Sequence, residues 1–106
     1  MKQGAIHPQI QAHLPEVIAL LEKHKVRSAY VFGSVLSESF NADSDVDFLV
    51  NLETDLDPVD AGGRLWDLYY GLKDLLHREI DLLTERSLRN PYFIEEVNKT
   101  KVSIYG

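Results

Sequence analysis

Apolar residues along the chain follow two periods, and the switches between them mark out the elements. Ile10, Leu14, Val17, Ile18 and Leu21 recur at three- and four-residue spacing, which predicts an amphipathic helix from about Pro8 to His24. Pro15 interrupts it, so either the helix kinks there or a fresh helix begins with His13 or Leu14 just outside, because proline suits a first turn and not an interior. Val26 to Phe32 reads as a strand that Gly33 ends, Ser34 to about Ser39 as a helical turn, and Phe40 to Ser44 as a polar loop. Asp45 to Leu52 is a second strand. Its alternation turns Val46, Phe48, Val50 and Leu52 toward a core and leaves Asp45 and Asp47 on the opposite face, roughly 6.6 Å apart at the rise of a strand.

Asp57-Pro58 and Asn90-Pro91 are helix starts of the same form, a side-chain cap followed by a first-turn proline. After the first of them Leu65, Leu68, Tyr69, Leu72, Leu75 and Leu76 make one apolar face, with Trp66 beside it, and these aromatics are expected in the core. Glu79 to Thr84 is a third strand with Ile80 and Leu82 on one face and Asp81 and Leu83 on the other. A charge in so short a strand belongs at a sheet edge or in solvent. Ile94 and Val97 give the last helix its apolar side, Val102, Ile104 and Tyr105 suggest a short terminal strand, and nothing ties down Met1 to Gly4. Strands alternating with helices in so short a chain imply an α/β or α+β fold: one domain over residues 1–106, a small sheet flanked by helices, with the polar faces of the second and third strands on one side.

Composition removes several classes of function. With 106 residues there is room for one core. A formal net charge of −6 does not draw a polyanion to the surface as a whole, so long nucleic acid is not the expected partner. The absence of cysteine excludes disulfides and thiolate metal sites, and no segment reaches the ~20 apolar residues of a membrane span, so a cytoplasmic protein is the simplest expectation.

What remains is a chemical problem posed by the aspartates. Asp45, Asp47 and Asp81 repel one another if gathered, and their natural counter-charge is an oxygen-seeking divalent cation, Mg²⁺ or Mn²⁺. The turn at Gly33-Ser34 offers backbone N–H groups and a hydroxyl to phosphates held beside such ions. Together these features suggest phosphoryl or nucleotidyl transfer with two metal ions. A Walker loop is excluded because no Gly-Lys-Ser/Thr follows the glycines. An EF-hand fails because Phe48 stands where its loop needs glycine and Thr54 where it needs glutamate. An aspartyl-phosphate phosphatase places its nucleophile after an apolar strand, whereas polar residues precede Asp45. His7, His13, His24 and His77 lack paired ligand spacing.

Gly33-Ser34, ten residues, Asp45-Val46-Asp47 and a later strand carrying Asp81 resemble the polymerase-β-type nucleotidyltransferase superfamily, and the small size resembles its minimal nucleotidyltransferases (MNT). The resemblance implies a mixed sheet with flanking helices and Asp45 and Asp47 as ligands of two Mg²⁺ ions. It also implies Asp81 as ligand and base near the acceptor hydroxyl, and ATP held by Gly33 and Ser34 with Ser44. Stand-alone members are typically antitoxins paired with a HEPN-domain toxin, some silencing it by transferring AMP from ATP to a tyrosine, and the same role is the expectation here. The alternative is an antitoxin that neutralises its HEPN partner by binding alone, with a vestigial nucleotide site. Where many members carry arginines and a glycine after Gly-Ser, this chain has Val35, Leu36, Ser37 and Glu38.

Overall fold

A computed structural model describes residues 6–106, so the expectation for Met1 to Gly4 lies outside the described residues. Helix α1 (Pro8–Gln11) stops at Ala12, and α2 (Leu14–Lys23) begins afresh with His13 at its N-cap and proline in the first turn. Of the two readings of Pro15, the fresh start is the one adopted. Strand β1 (Val26–Phe32) runs into a 3₁₀ turn over Gly33–Leu36, and β2 (Val46–Leu52) follows the polar loop. Helix α3 (Pro58–Leu76) is capped by the Asp57 carboxylate, which accepts from the Asp60 N–H at 3.0 Å. It ends where His77 enters the left-handed region. Strand β3 (Ile80–Thr84), helix α4 (Pro91–Thr100) and strand β4 (Val102–Tyr105) complete the chain. Asn90 caps α4 through its side-chain oxygen, which accepts from the N–H groups of Tyr92 and Phe93.

The sheet is mixed, in the order β3-β2-β1-β4. β1 pairs antiparallel with β2 and β4, while β2 and β3 run parallel, joined by α3 as the crossover. Asp81 therefore does sit on an edge strand. One face of the sheet carries the main core, where Val31, Phe48 and Val50 meet Val17 and Leu21 of α2 and Leu68 and Leu72 of α3. The other face was expected to be polar. Instead Leu49, 1% exposed, forms a second buried cluster with Phe32 and Val97, so α4 covers part of that face as well. The middle of β2 is thus apolar on both sides, and its charges are confined to the N-terminal end.

Trp66 of α3 also departs from expectation. Tyr69 is half-buried against the core, but Trp66 is 65% and Tyr70 45% exposed, and their rings meet edge to face at 5.3 Å. With Val59 they fall at i, i+7 and i+11, one narrow stripe on the side of the helix opposite Leu68 and Leu72. The helical period turns all three outward, and residue type alone suggested the core for Trp66.

Candidate active site

The register of three strands builds the site. Asp47 pairs with Phe32 of β1 on one side and with Asp81 of β3 on the other, so the two carboxylates project side by side from neighbouring strands on the α4 face of the sheet. Asp45 lies one residue ahead of β2, and its carbonyl accepts from the Ser34 hydroxyl at 3.4 Å. Gly33 follows Phe32 with φ +80, a conformation that suits a residue without Cβ, and a Cβ there would run into Oδ2 of Asp47. Backbone and carboxylate approach each other this closely only because the position is glycine.

Electrostatics show the cost of the arrangement. The Asp47 carboxyl is raised from 3.8 to about 6, first by burial, then by the charge of Asp81 and then by that of Asp45. Both neighbours therefore act on one carboxyl, and like charges are concentrated there. Among the described residues no group of three His, Cys, Asp or Glu side chains is already arranged to hold a metal ion. The donors still fit a hard divalent cation: carboxylate oxygens from two adjacent strands in register, a third carboxylate two residues upstream, and repulsion that a cation would relieve.

Ser44 is placed differently from Ser34. Its hydroxyl accepts from the Asn41 N–H at 3.0 Å and its N–H donates to the Asn41 carbonyl at 3.0 Å, so the side chain closes the loop before Asp45. A cavity of about 560 Å³ opens between the site and α4, lined among others by Gly33, Ser37, Asp47, Phe93 and Lys99.

Residues 16–106 match the family model described as polymerase beta, nucleotidyltransferase. The chain belongs to that family. It is 34% identical over 85 residues to "Putative protein adenylyltransferase MJ1217" of Methanocaldococcus jannaschii, covering 80% of this chain and 83% of that one. Among solved structures it is similar to a chain of a toxin–antitoxin crystal structure with AMP-PNP, with TM-score 0.69, 25% identity, and 88% of this chain and 73% of that chain covered. It is also similar to a chain in the structure of a tri-AMPylated Shewanella oneidensis HEPN toxin in complex with its MNT antitoxin. There the TM-score is 0.64 at 26% identity, covering 91% of this chain and 71% of that chain. The mixed sheet with flanking helices is thus the nucleotidyltransferase fold that the Gly-Ser and Asp-Val-Asp pattern resembled.

Sequence reasoning missed Arg78 in this nucleotidyltransferase. Its guanidinium donates to the carbonyls of Asn41 at 3.0 Å and Ser44 at 2.7 Å and to Oε1 of Gln9 at 3.1 Å, and it stacks on the Phe40 ring at 4.4 Å. One side chain thereby fixes both ends of the loop that delivers Asp45. The contacts span up to 69 residues of sequence, so no local pattern could announce them. Arg78→Ala is expected to lower stability by about 1–2 kcal/mol and to slow nucleotide transfer about tenfold by loosening Asp45. Arg78→Lys should recover only part of either loss in melting and rate measurements, since an ammonium cannot reproduce the planar fork.

Proposed function

We propose that the protein is a Mg²⁺-dependent adenylyltransferase that moves AMP from ATP to a hydroxyl, most simply a tyrosine, of a partner HEPN toxin, and so acts as an antitoxin. The observation that carries this reading is the register of Asp47 with Asp81 beside the Gly33 turn. Asp45, Asp47 and Asp81 would hold the ions, which when bound supply counter-charge to the carboxylates and the phosphates. Gly33 and Ser34 position the triphosphate through N–H groups and a hydroxyl. Asp81, exposed at the sheet edge, takes the proton of the acceptor hydroxyl. The acceptor oxygen bonds to the α-phosphorus, the bond from that phosphorus to the bridging oxygen breaks, and pyrophosphate leaves.

A protein acceptor is supported by the relatives' names and by the surface. MJ1217 is named as a protein adenylyltransferase, and one structural neighbour is bound to an AMPylated HEPN toxin. The Val59, Trp66 and Tyr70 stripe on α3 is the kind of exposed apolar patch that a partner protein covers. Among the described residues no helix is long and apolar enough to cross a membrane.

The test is label transfer from α-labelled ATP to the co-purified HEPN partner with Mg²⁺ or Mn²⁺. Transfer is expected for the wild type and should fall about 10²–10³-fold or more in Asp45→Asn. A partner still neutralised with no label on it would establish the binding-only reading instead.

A further inference from the structure

The turn after Gly33-Ser34 lacks cations, yet a triphosphate bound there carries several negative charges. The cavity beside the turn supplies a substitute from a distant part of the chain. Among the described residues that line it Lys99 is the one cation, and it comes from the last turn of α4. The chain then enters β4 at Val102, opposite Val31, two residues before Gly33, which brings that last turn to the Gly33 end of the cavity. Lys99 is committed to little else. Among the described residues its ion pair is with Glu95, at 3.7 Å and with both side chains 67% exposed, an i,i+4 pair of the weakest class and readily exchanged for a phosphate.

The same cavity has an aromatic wall. Phe93 packs edge to face on Phe32 at 6.0 Å, with an interplanar angle of 74°, and is still 40% exposed. Phe32 fixes one side of the ring, and its exposed part borders the cavity. The cavity volume, about 560 Å³, lies in the range of small-molecule sites.

Resting on the nucleotide reading above, we infer that α4 is the second half of the nucleotide site: Lys99 contacts the β- or γ-phosphate and Phe93 stacks on the base. The clamp expected next to the Gly-Ser turn has moved to the C-terminal helix. Glu96, also lining the cavity, keeps it from being broadly cationic, so a long polyanion is not favoured there.

The test is calorimetric binding of a non-hydrolysable ATP analogue and of AMP, each with Mg²⁺, to wild type, Lys99→Ala, Phe93→Ala and Phe93→Leu, with Lys23→Ala at the end of α2 as charge control. Lys99→Ala should weaken the analogue about tenfold and leave AMP within about twofold, because only the longer ligand reaches the ammonium. Both Phe93 variants should weaken both ligands about tenfold. Leucine keeps the packing on Phe32, so its loss separates stacking from folding. Should wild type bind neither ligand, both this inference and the proposed function fall. Should it bind the analogue while Lys99→Ala and Phe93→Leu match it within about twofold, the inference alone is overturned.

Discussion

Asp47→Asn is expected to melt higher than the wild type at neutral pH without divalent ions, and to transfer almost no nucleotide. The two effects share one cause. In the folded protein the Asp47 carboxyl is raised from 3.8 to about 6, chiefly by burial and then by Asp81 and Asp45. A group whose folded pKa lies above its unfolded value binds more protons folded than unfolded. Stability is therefore lost as pH rises through that window, the reverse of a salt-bridged aspartate. The penalty is absent below about pH 4, grows between about pH 4 and 6, and is complete above. A shift of about two units corresponds to about 3 kcal/mol, which solvent screening of this half-exposed carboxyl reduces to about 1–2 kcal/mol.

Asparagine cannot ionise, so the variant escapes the penalty and gains roughly 5–10 °C at neutral pH. At about pH 4 the two proteins should melt together. Scanning calorimetry at both pH values in a chelator checks the stability half, and label transfer the catalytic half, where a loss of about a thousandfold is expected. An asparagine variant that melts lower at neutral pH would mean that the carboxylate is well satisfied in the metal-free protein. The proposal that the three aspartates wait for a cation would then lose its physical basis.

How far such features could be read from sequence depended on whether the cause was local. The caps at Asp57 and Asn90, the proline-marked starts and the alternation of β2 were legible because each is set by a few adjacent residues. The fresh start of α2 stayed open, since Pro15 permits a kink or a restart until Ala12 and His13 leave the helix. Leu49 looked like part of a polar face because its neighbours on that face are Asp47 and Asn51. Only the return of α4 with Val97 buries it. Trp66 was misjudged by weighing its size over its phase on the helix. That Gly33, Ser34 and the aspartates would lie close together was legible from type and spacing. The hold of Arg78 on the loop before Asp45 and the placing of Lys99 on the cavity were not, for both come from elements far along the chain.

Gly33→Ala should damage the site from the other side. At φ +80 an alanine is strained by about 1 kcal/mol or more, and its Cβ must also displace Oδ2 of Asp47. The carboxylate can yield only by turning away from the Gly33 turn and toward the cavity it lines. A total stability loss of about 2–3 kcal/mol is expected, with transfer activity down about a hundredfold as Asp47 turns away from its neighbours. A double-mutant cycle separates the two costs. With Asp47→Ala in place, the nearest remaining atom of residue 47 is its Cβ, 3.8 Å from the new methyl group, an ordinary contact. In that background Gly33→Ala should cost only the backbone strain, about 1 kcal/mol, so the coupling energy reads the steric contact directly. Equal costs in both backgrounds would show that Gly33 is needed for its turn alone. The close approach of backbone to carboxylate, on which the proposed placing of phosphate beside Asp47 depends, would then have no energetic trace.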